Sequence, residues 1–290
     1  MPQIPISVVT PGYRSQSEDT SIDADVLMFQ LLRQLTLQQR TQRFRHFNQA
    51  PRKLTIIAIK NHYPNASSSK IYQEFIRRHL GSEWLTVLKL KTTEFEEKFR
   101  IEDPLELASR MATLFETLNI SYLVGGSVAS SLLGESRSTQ DLDLVISISL
   151  SKAQQLIRAM EQEFYISESA VVEAVTEKRS FNVIHLTSLE KIDIFVIGDD
   201  AFSCSKMNRR QLYKIDESEK GIYIYSPEDI ILQKLYWYLL SAKESQKQWR
   251  DVLGVLKVQG ERLDFNYLNQ WAEILQVQSL LELALQQAGL

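Results

Sequence analysis

The feature that most constrains this chain is an apolar strand that runs into a Gly-Gly-Ser turn, followed by a short helix and a second apolar strand carrying two aspartates. The first strand is predicted over residues 122–124, the turn is Gly125-Gly-Ser127, and the aspartates are Asp141 and Asp143. Side chains two residues apart on a strand lie on the same face of a sheet, so the two carboxylates are expected side by side. Such oxygens suit Mg²⁺, which usually takes one or two protein carboxylates together with substrate phosphates.

The turn formed by Gly125, Gly126 and Ser127 has the properties of a phosphate site. Glycine lets the backbone approach a phosphate closely, and the following helix points its free N–H groups and the positive end of its dipole towards the turn. Two further candidates, Arg137 and Thr139, lie just before the acid pair, where they would meet phosphate oxygens. The alternative for both is a solvated loop.

Asp193 is the third candidate acid. It lies among apolar neighbours in a strand predicted over residues 192–197, where a carboxylate is costly unless it is paired or bound to a cation. Beside the strand of Asp141 and Asp143, it would complete a group of three carboxylates whose repulsion one or two divalent ions relieve. It would also accept the proton of an attacking hydroxyl. Each part alone is ordinary, but their order and spacing favour a metal-dependent nucleotide site.

Lys234 is a further candidate for contact with the donor or the acceptor. It lies in a helix predicted to begin at Ser226-Pro-Glu-Asp229, where a capping serine is followed by proline and early acids. The alternative is a surface lysine whose stem packs on the protein while its ammonium stays in water.

The chain is long enough, at 290 residues with 44% hydrophobic residues, to form two domains. The alternation of predicted strands and helices favours an α/β (α+β) class, with a separate all-helical unit before the strands and a helical tail after them. The predicted divisions follow composition and periodicity. They are a disordered tail over 1–22, a helical domain over 23–100, a catalytic domain over 101–225 and a helical subdomain over 226–290.

Charge is distributed unevenly along the chain. Residues 1–100 hold 15 Lys and Arg against 9 Asp and Glu, whereas the remainder holds 18 against 27. A split of this kind suggests either docking of the basic helices on the acidic half or an anionic partner such as RNA. The simplest alternative is a solvated basic helix face.

Several observations suggest a cytoplasmic protein that has no membrane partner. The first residues lack the pattern of a secretory signal, and no apolar run approaches the length of a membrane span. Cys204 is the single cysteine, so no internal disulfide is available, which fits a reducing compartment.

The acid and glycine motifs resemble the signature of the nucleotidyltransferase superfamily that includes DNA polymerase beta. Within it, Arg137-Ser-Thr-Gln-Asp-Leu-Asp143 and the segment beginning at Ser226-Pro-Glu-Asp229 resemble the bacterial branch of AbiEii-type toxins and minimal nucleotidyltransferases. The resemblance covers roughly residues 101–288. It implies a nucleotidyltransferase fold, which is a mixed twisted sheet flanked by helices, together with two Mg²⁺ ions and a nucleoside triphosphate donor.

Carried over by position, the resemblance gives each motif residue a role. It implies that Asp141 and Asp143 bind both metals, that Asp193 completes the site and helps to activate the acceptor, and that the glycine turn holds the triphosphate. The resulting expectation is transfer of a nucleoside monophosphate to a hydroxyl of tRNA, a protein or a small molecule, with release of pyrophosphate. The alternative is a toxin–antitoxin component or regulatory nucleotide-binding module whose catalysis is secondary or lost.

Overall fold

The computed structural model describes residues 8–88, 99–215 and 221–290. Within these ranges the chain forms one seven-stranded mixed sheet with helices packed around it. The strands are β1 (Ser121–Val124), β2 (Asp141–Ser147), β3 (Phe164–Tyr165), β4 (Ser180–His185), β5 (Lys191–Val196), β6 (Gln211–Lys214) and β7 (Gly221–Ile224). The first helices are α1 (Ile22–Gln34), α2 (Leu37–His62), α3 (Ser68–His79), α4 (Trp84–Leu88), α5 (Pro104–Thr117), α6 (Gly126–Leu133) and α7 (Leu150–Met160). The later helices are α8 (Glu168–Glu177), α9 (Ala201–Arg209), α10 (Pro227–Leu240), α11 (Gln246–Gln259), α12 (Phe265–Ile274) and α13 (Gln278–Ala288). None of the helices in the described ranges is both long and apolar enough to cross a bilayer.

The sheet has the strand order β3-β4-β5-β2-β1-β7-β6. At its centre β2 runs antiparallel to β1 and parallel to β5. Burial alternates along β5, so that Ile192 and Ile194 are buried while Lys191 and Asp193 are half-buried on the other face. The prediction of a mixed sheet flanked by helices is confirmed. The short strands β3 and β6 were not predicted.

The main core lies between the sheet and its helices. Leu144 and Ile146 of β2, Val128 of α6 and Leu253 of α11 are almost completely buried in it. The helices α10 to α13 confirm the predicted helical tail and cover the part of the sheet that carries the glycine turn. Burying an apolar side chain of this size stabilises the fold by roughly 1.5–3 kcal/mol.

The N-terminal segment is all-helical, as predicted, and it shares a second apolar core with the sheet. Ile59, Tyr72 and Phe75 pack with Ile184 and Leu186 beside β4. The Tyr72 hydroxyl also donates a hydrogen bond of 2.9 Å to the carbonyl of Leu186. The domain boundary near residue 100 stays a prediction, and of the helical domain predicted over 23–100 the part over 89–98 lies outside the described residues.

The disordered tail predicted for residues 1–22 falls partly outside the described residues, since these begin at residue 8. Residues 8–21 form no helix or strand, yet hydrogen bonds hold them against the fold. The Tyr13 hydroxyl donates to Asp25 at 2.5 Å, and the Arg14 backbone N–H donates to the carbonyl of Gln287 at 3.0 Å. The prediction of disorder did not include these contacts.

A buried ion pair joins α1 to α11. Lys257 Nζ lies 2.7 Å from Asp25 Oδ2, and the two side chains are 1% and 0% exposed. The Lys257 ammonium also donates to the carbonyl of Arg14 at 2.5 Å. Removing one partner of such a pair leaves an uncompensated buried charge.

We expect Lys257→Met to lower the free energy of unfolding by about 3–5 kcal/mol, because the buried carboxylate of Asp25 then has no counter-charge. The double variant Asp25→Asn with Lys257→Met should lose less, since no buried charge is left without a partner. Urea denaturation measures both, with Lys60→Met on the exposed face of α2 as the matched control. Equal losses for Lys257→Met and the control would contradict the importance of this pair.

Candidate active site

The three predicted acids lie together on neighbouring strands. Asp143 of β2 is the register partner of Asp193 of β5, and Asp141 is the partner of Lys191. Because side chains alternate along a strand, Asp141, Asp143, Lys191 and Asp193 share one half-buried face of the sheet. The parallel pairing of β2 and β5 therefore brings the acids together.

Lys191 is a member of this cluster that the sequence analysis missed. Its ammonium donates to Asp193 Oδ2 at 2.8 Å. The signal was present in the sequence, since Lys191 precedes Asp193 by two residues and so must lie on the same strand face. Among the described residues no three His, Cys, Asp or Glu side chains form a ready-made metal-binding group, and the third acid faces this lysine.

The acid cluster has more negative charge than Lys191 balances. Burial raises the pKa of Asp143 to about 6, and the neighbouring charges of Asp193 and Asp141 add to this rise. Burial also raises the pKa of Asp141, against the opposing effect of the Lys191 charge. Like charges close together disfavour ionisation. A cation is the natural way to keep all three groups ionised, and their oxygens have the chemistry that Mg²⁺ prefers.

The glycine turn packs directly on Asp143. The Gly125 backbone N–H donates to the carbonyl of Asp143 at 2.9 Å. Gly126 has φ +53°, and a Cβ added there would lie 1.7 Å from Asp143 Oδ2. Position 126 therefore requires glycine for two reasons. Its backbone has a positive φ, and the Asp143 carboxylate occupies the space that a side chain would need.

A buried network connects this turn to α11. Asp251 accepts two hydrogen bonds from Arg137, at 2.7 and 2.8 Å, and lies 2.7 Å from Lys234 Nζ. Arg137 also donates to the Ser127 hydroxyl at 2.6 Å, and the Ser130 hydroxyl donates to Asp251 at 3.1 Å. Two predicted phosphate contacts, Arg137 and Lys234, are thus brought together beside the turn, although they are far apart in the sequence.

Asp251 organises these cations, a role that was not predicted from the sequence. Although burial acts in the opposite direction, the hydrogen bond from Arg137 and the charge of Lys234 lower the pKa of Asp251. Two cations share this one carboxylate, so one positive charge remains beside Ser127. No local sequence signal reveals such a group, because its members come from α6, the loop before β2, α10 and α11.

The helix α2 reaches the loop that leads into the acid strand. The Thr139 backbone N–H donates to Asn48 Oδ1 at 2.8 Å, and the Thr139 hydroxyl donates to the carbonyl of Asp141 at 3.2 Å. Four residues after Asn48, Arg52 donates to Glu190 Oε2 at 2.5 Å in a pair whose side chains are 6% and 5% exposed. Thr139 therefore anchors α2 to the site; its predicted contact with phosphate stays a prediction.

Comparisons with known proteins leave the family open. No family model matches the sequence, and no curated protein matches it. Two solved structures are similar in fold to part of the chain. One is an antigenic nucleotidyltransferase-like protein from Paracoccidioides brasiliensis, with 18% identity, a TM-score of 0.40, and coverage of 63% of this chain and 91% of that one. The other is the antibiotic-resistance factor ANT(2'')-Ia, with 15% identity, a TM-score of 0.30, and coverage of 60% and 88%. Similarity this low assigns no activity, so the chemistry of the site rests on the residues of this chain.

We expect Gly126→Ala to destabilise the fold far more than Gly260→Ala. Both glycines have positive φ, +53° and +54°, but a Cβ at position 260 meets nothing within 4 Å. The Gly260 variant thus reports a backbone cost alone, about 1–3 kcal/mol, whereas the Gly126 variant must also displace the Asp143 carboxylate. Urea denaturation of both variants measures the difference. Equal losses would show that Asp143 does not fill the space above Gly126.

Proposed function

We propose that this chain is a Mg²⁺-dependent nucleotidyltransferase. It would transfer a nucleoside monophosphate from a nucleoside triphosphate to an acceptor hydroxyl and release pyrophosphate. The observation that carries the proposal is the register of β2 and β5, which places Asp193 opposite Asp143, next to a glycine turn flanked by two cations. Carboxylates beside a phosphate-binding turn are what a metal-assisted displacement at phosphorus needs.

The residues that would hold the metal are Asp141, Asp143 and Asp193. Bound there, one or two Mg²⁺ ions would neutralise the carboxylates and the phosphate oxygens and stabilise the charge that develops on the attacking and leaving oxygens. Lys191 now supplies the positive charge on Asp193. We infer that this ammonium stands in for a cation until the substrate complex forms, and that it then turns towards a phosphate oxygen.

The triphosphate would lie along the glycine turn. The backbone N–H groups of Gly126 and Ser127 would provide the cradle, since the N–H of Gly125 is bonded to the Asp143 carbonyl. The shared positive charge of Arg137 and Lys234 lies next to it. Arg137 has the planar donor geometry suited to phosphate. Since Asp251 holds both cations in place, their side chains need little ordering when the substrate binds.

In the transfer step the acceptor oxygen forms a bond to the α-phosphorus. The bond from that phosphorus to the oxygen that bridges to the β-phosphate breaks, and pyrophosphate leaves with the bonding electron pair. The hydroxyl proton passes to a carboxylate of the site, for which Asp193 is the candidate. Positioning and charge neutralisation carry most of the chemistry in reactions of this class.

Several classes of acceptor are compatible with the site. A tRNA end, a protein side chain and a small molecule all supply a hydroxyl. The alternative of a toxin–antitoxin component with lost catalysis is less favoured, because all three acids are present on one face. We propose a cytoplasmic enzyme.

We expect Asp143→Asn to lower the rate of nucleotide transfer by about three orders of magnitude, because the transition state loses several kcal/mol of charge stabilisation. The isosteric amide should still fit over Gly126. The assay incubates the full chain with each α-labelled triphosphate and a cell extract and follows transfer of the label. Asp199→Asn, on a carboxylate that is 89% exposed, is the control. Transfer at the wild-type rate in the Asp143 variant would refute the assigned role.

We expect Lys191→Met to bind Mg²⁺ more tightly in the absence of nucleotide, by about tenfold, because one competing positive charge is removed from Asp193. The same variant should be less stable than the wild type in metal-free buffer and regain stability when Mg²⁺ is added. Calorimetric titration and thermal unfolding measure the two effects, with Lys214→Met on the exposed side of β6 as the control. An unchanged affinity would show that lysine and metal do not share a position.

A further inference from the structure

A cavity of about 420 Å³ lies between α2, α3 and the loop before β2. Its size falls in the range of sites for small molecules, roughly 300–1,000 Å³. The residues that carry the argument are Arg52, Ala58, Arg78, His79, Thr139 and Gln140. The cavity is thus formed partly by the N-terminal helices and partly by the catalytic segment.

The loop that lines the cavity leads directly into the first proposed catalytic acid, although none of the three acids is itself a lining residue. Thr139 and Gln140 line the cavity, and the next residue of the chain is Asp141, the first acid of β2. The positive charge of Arg52 reaches Asp141, where it opposes the rise in the pKa of that carboxyl. The hydrogen bond from Thr139 to Asn48 fixes the loop against α2. The wall of the cavity is therefore linked, through one loop and one arginine, to the first acid.

The lining favours an anion. Arg52 is more than nine-tenths buried, and its Nε has no hydrogen-bond partner among the described residues. Arg78 makes no ion pair with a described residue, and no Asp or Glu is among the described residues that line the cavity. Burial and the nearby Arg52 lower the pKa of His79 to about 4, so at neutral pH its ring is an uncharged hydrogen-bonding group.

The carboxylate of Glu190 counters the preference of the cavity for an anion only in part. It faces Arg52, which gives it one hydrogen bond through a terminal nitrogen. The other terminal nitrogen donates to the carbonyl of Asn48 at 2.9 Å, and the Nε is buried with no partner among the described residues. Arg52 is thus fixed in the cavity wall, and Arg78 is the cation that is free to donate to a ligand.

We propose that this cavity is the acceptor subsite and that it takes a phosphate-bearing compound with a free hydroxyl. The inference rests on the proposed nucleotidyl transfer. Arg78 holds the phosphate group, Arg52 adds positive charge in the cavity wall, and the hydroxyl is directed towards the acids of β2 and β5. A free phosphorylated small molecule and a terminal nucleotide of RNA offer this same chemistry. The N-terminal helices thereby become part of the active site.

The test titrates the full chain with glycerol 3-phosphate, with glycerol, and with an RNA hexamer that ends in a 3′ hydroxyl. We expect a phosphorylated probe to bind, glycerol not to bind, and Arg78→Glu to weaken the phosphorylated probe at least tenfold. Lys60→Glu, an equal charge reversal on the exposed face of α2 outside the cavity, should change affinity less than twofold. Binding of the hexamer alone identifies an RNA end, and binding of glycerol 3-phosphate alone a small acceptor.

A second pair of variants tests the place of binding without changing charge. Ala58→Trp should fill the cavity and abolish probe binding, whereas Ile57→Trp, one residue away on the exposed face, should not. The subsite would be refuted if the two variants of either pair lost affinity for the phosphorylated probe equally. It would also be refuted if the wild type bound no phosphorylated probe.

Binding of Mg²⁺ with a triphosphate, measured on the same samples, separates this inference from the proposed function. If the wild type binds no triphosphate, the proposed function fails and the acceptor role fails with it. If triphosphate binds equally to wild type, Arg78→Glu and Ala58→Trp while the probes show no cavity effect, only the subsite fails.

Discussion

The arrangement of the candidate site depends on the repulsion between carboxylates that the register of the sheet brings together. The register of β2 and β5 sets Asp143 opposite Asp193 with Asp141 on the same face, and the energy of like charges at such separations is substantial away from bulk water. Each neighbouring feature supplies compensating positive charge. Lys191 contacts one acid directly, Arg52 acts on another from α2, and the charges of Lys234 and Arg137 approach from the side of the glycine turn. The three acids therefore form an anionic cluster, and these four positively charged side chains form a cationic frame around it.

Helices from both ends of the chain are tied to this frame. Asp251 of α11 holds the two cations beside the turn, and Lys257, two helical turns further on, binds Asp25 of α1 in the interior. From the other side, Asn48 and Arg52 of α2 contact Thr139 and Glu190. Buried charged networks are costly when one member is missing, so the N-terminal helices and the C-terminal tail cannot shift independently of the acids.

The sequence predicted the parts of the site whose signal is local. Alternation along a strand placed Asp141 beside Asp143, the apolar setting of Asp193 marked it as a third acid, and the C-terminal helices followed from periodicity and caps. The same alternation implied Lys191, which was overlooked. Asp251 could not be found, because its partners become neighbours only through packing. Packing also overrides a local signal in α2, which continues through Pro51, a residue that usually disrupts a helix. Contacts from the residues on either side, Asn48 and Arg52, hold it across the proline.

The contact between Gly126 and Asp143 has a consequence for the order of events. The turn and the acid are packed without a side chain between them, and the Gly125 N–H is bonded to the backbone of the same aspartate. A phosphate that lifts the turn must therefore move the carboxylate as well. In the proposed reaction, binding of the donor and binding of the ion would therefore be coupled. A compound that wedges the loop away from β2 would prevent both without touching either acid.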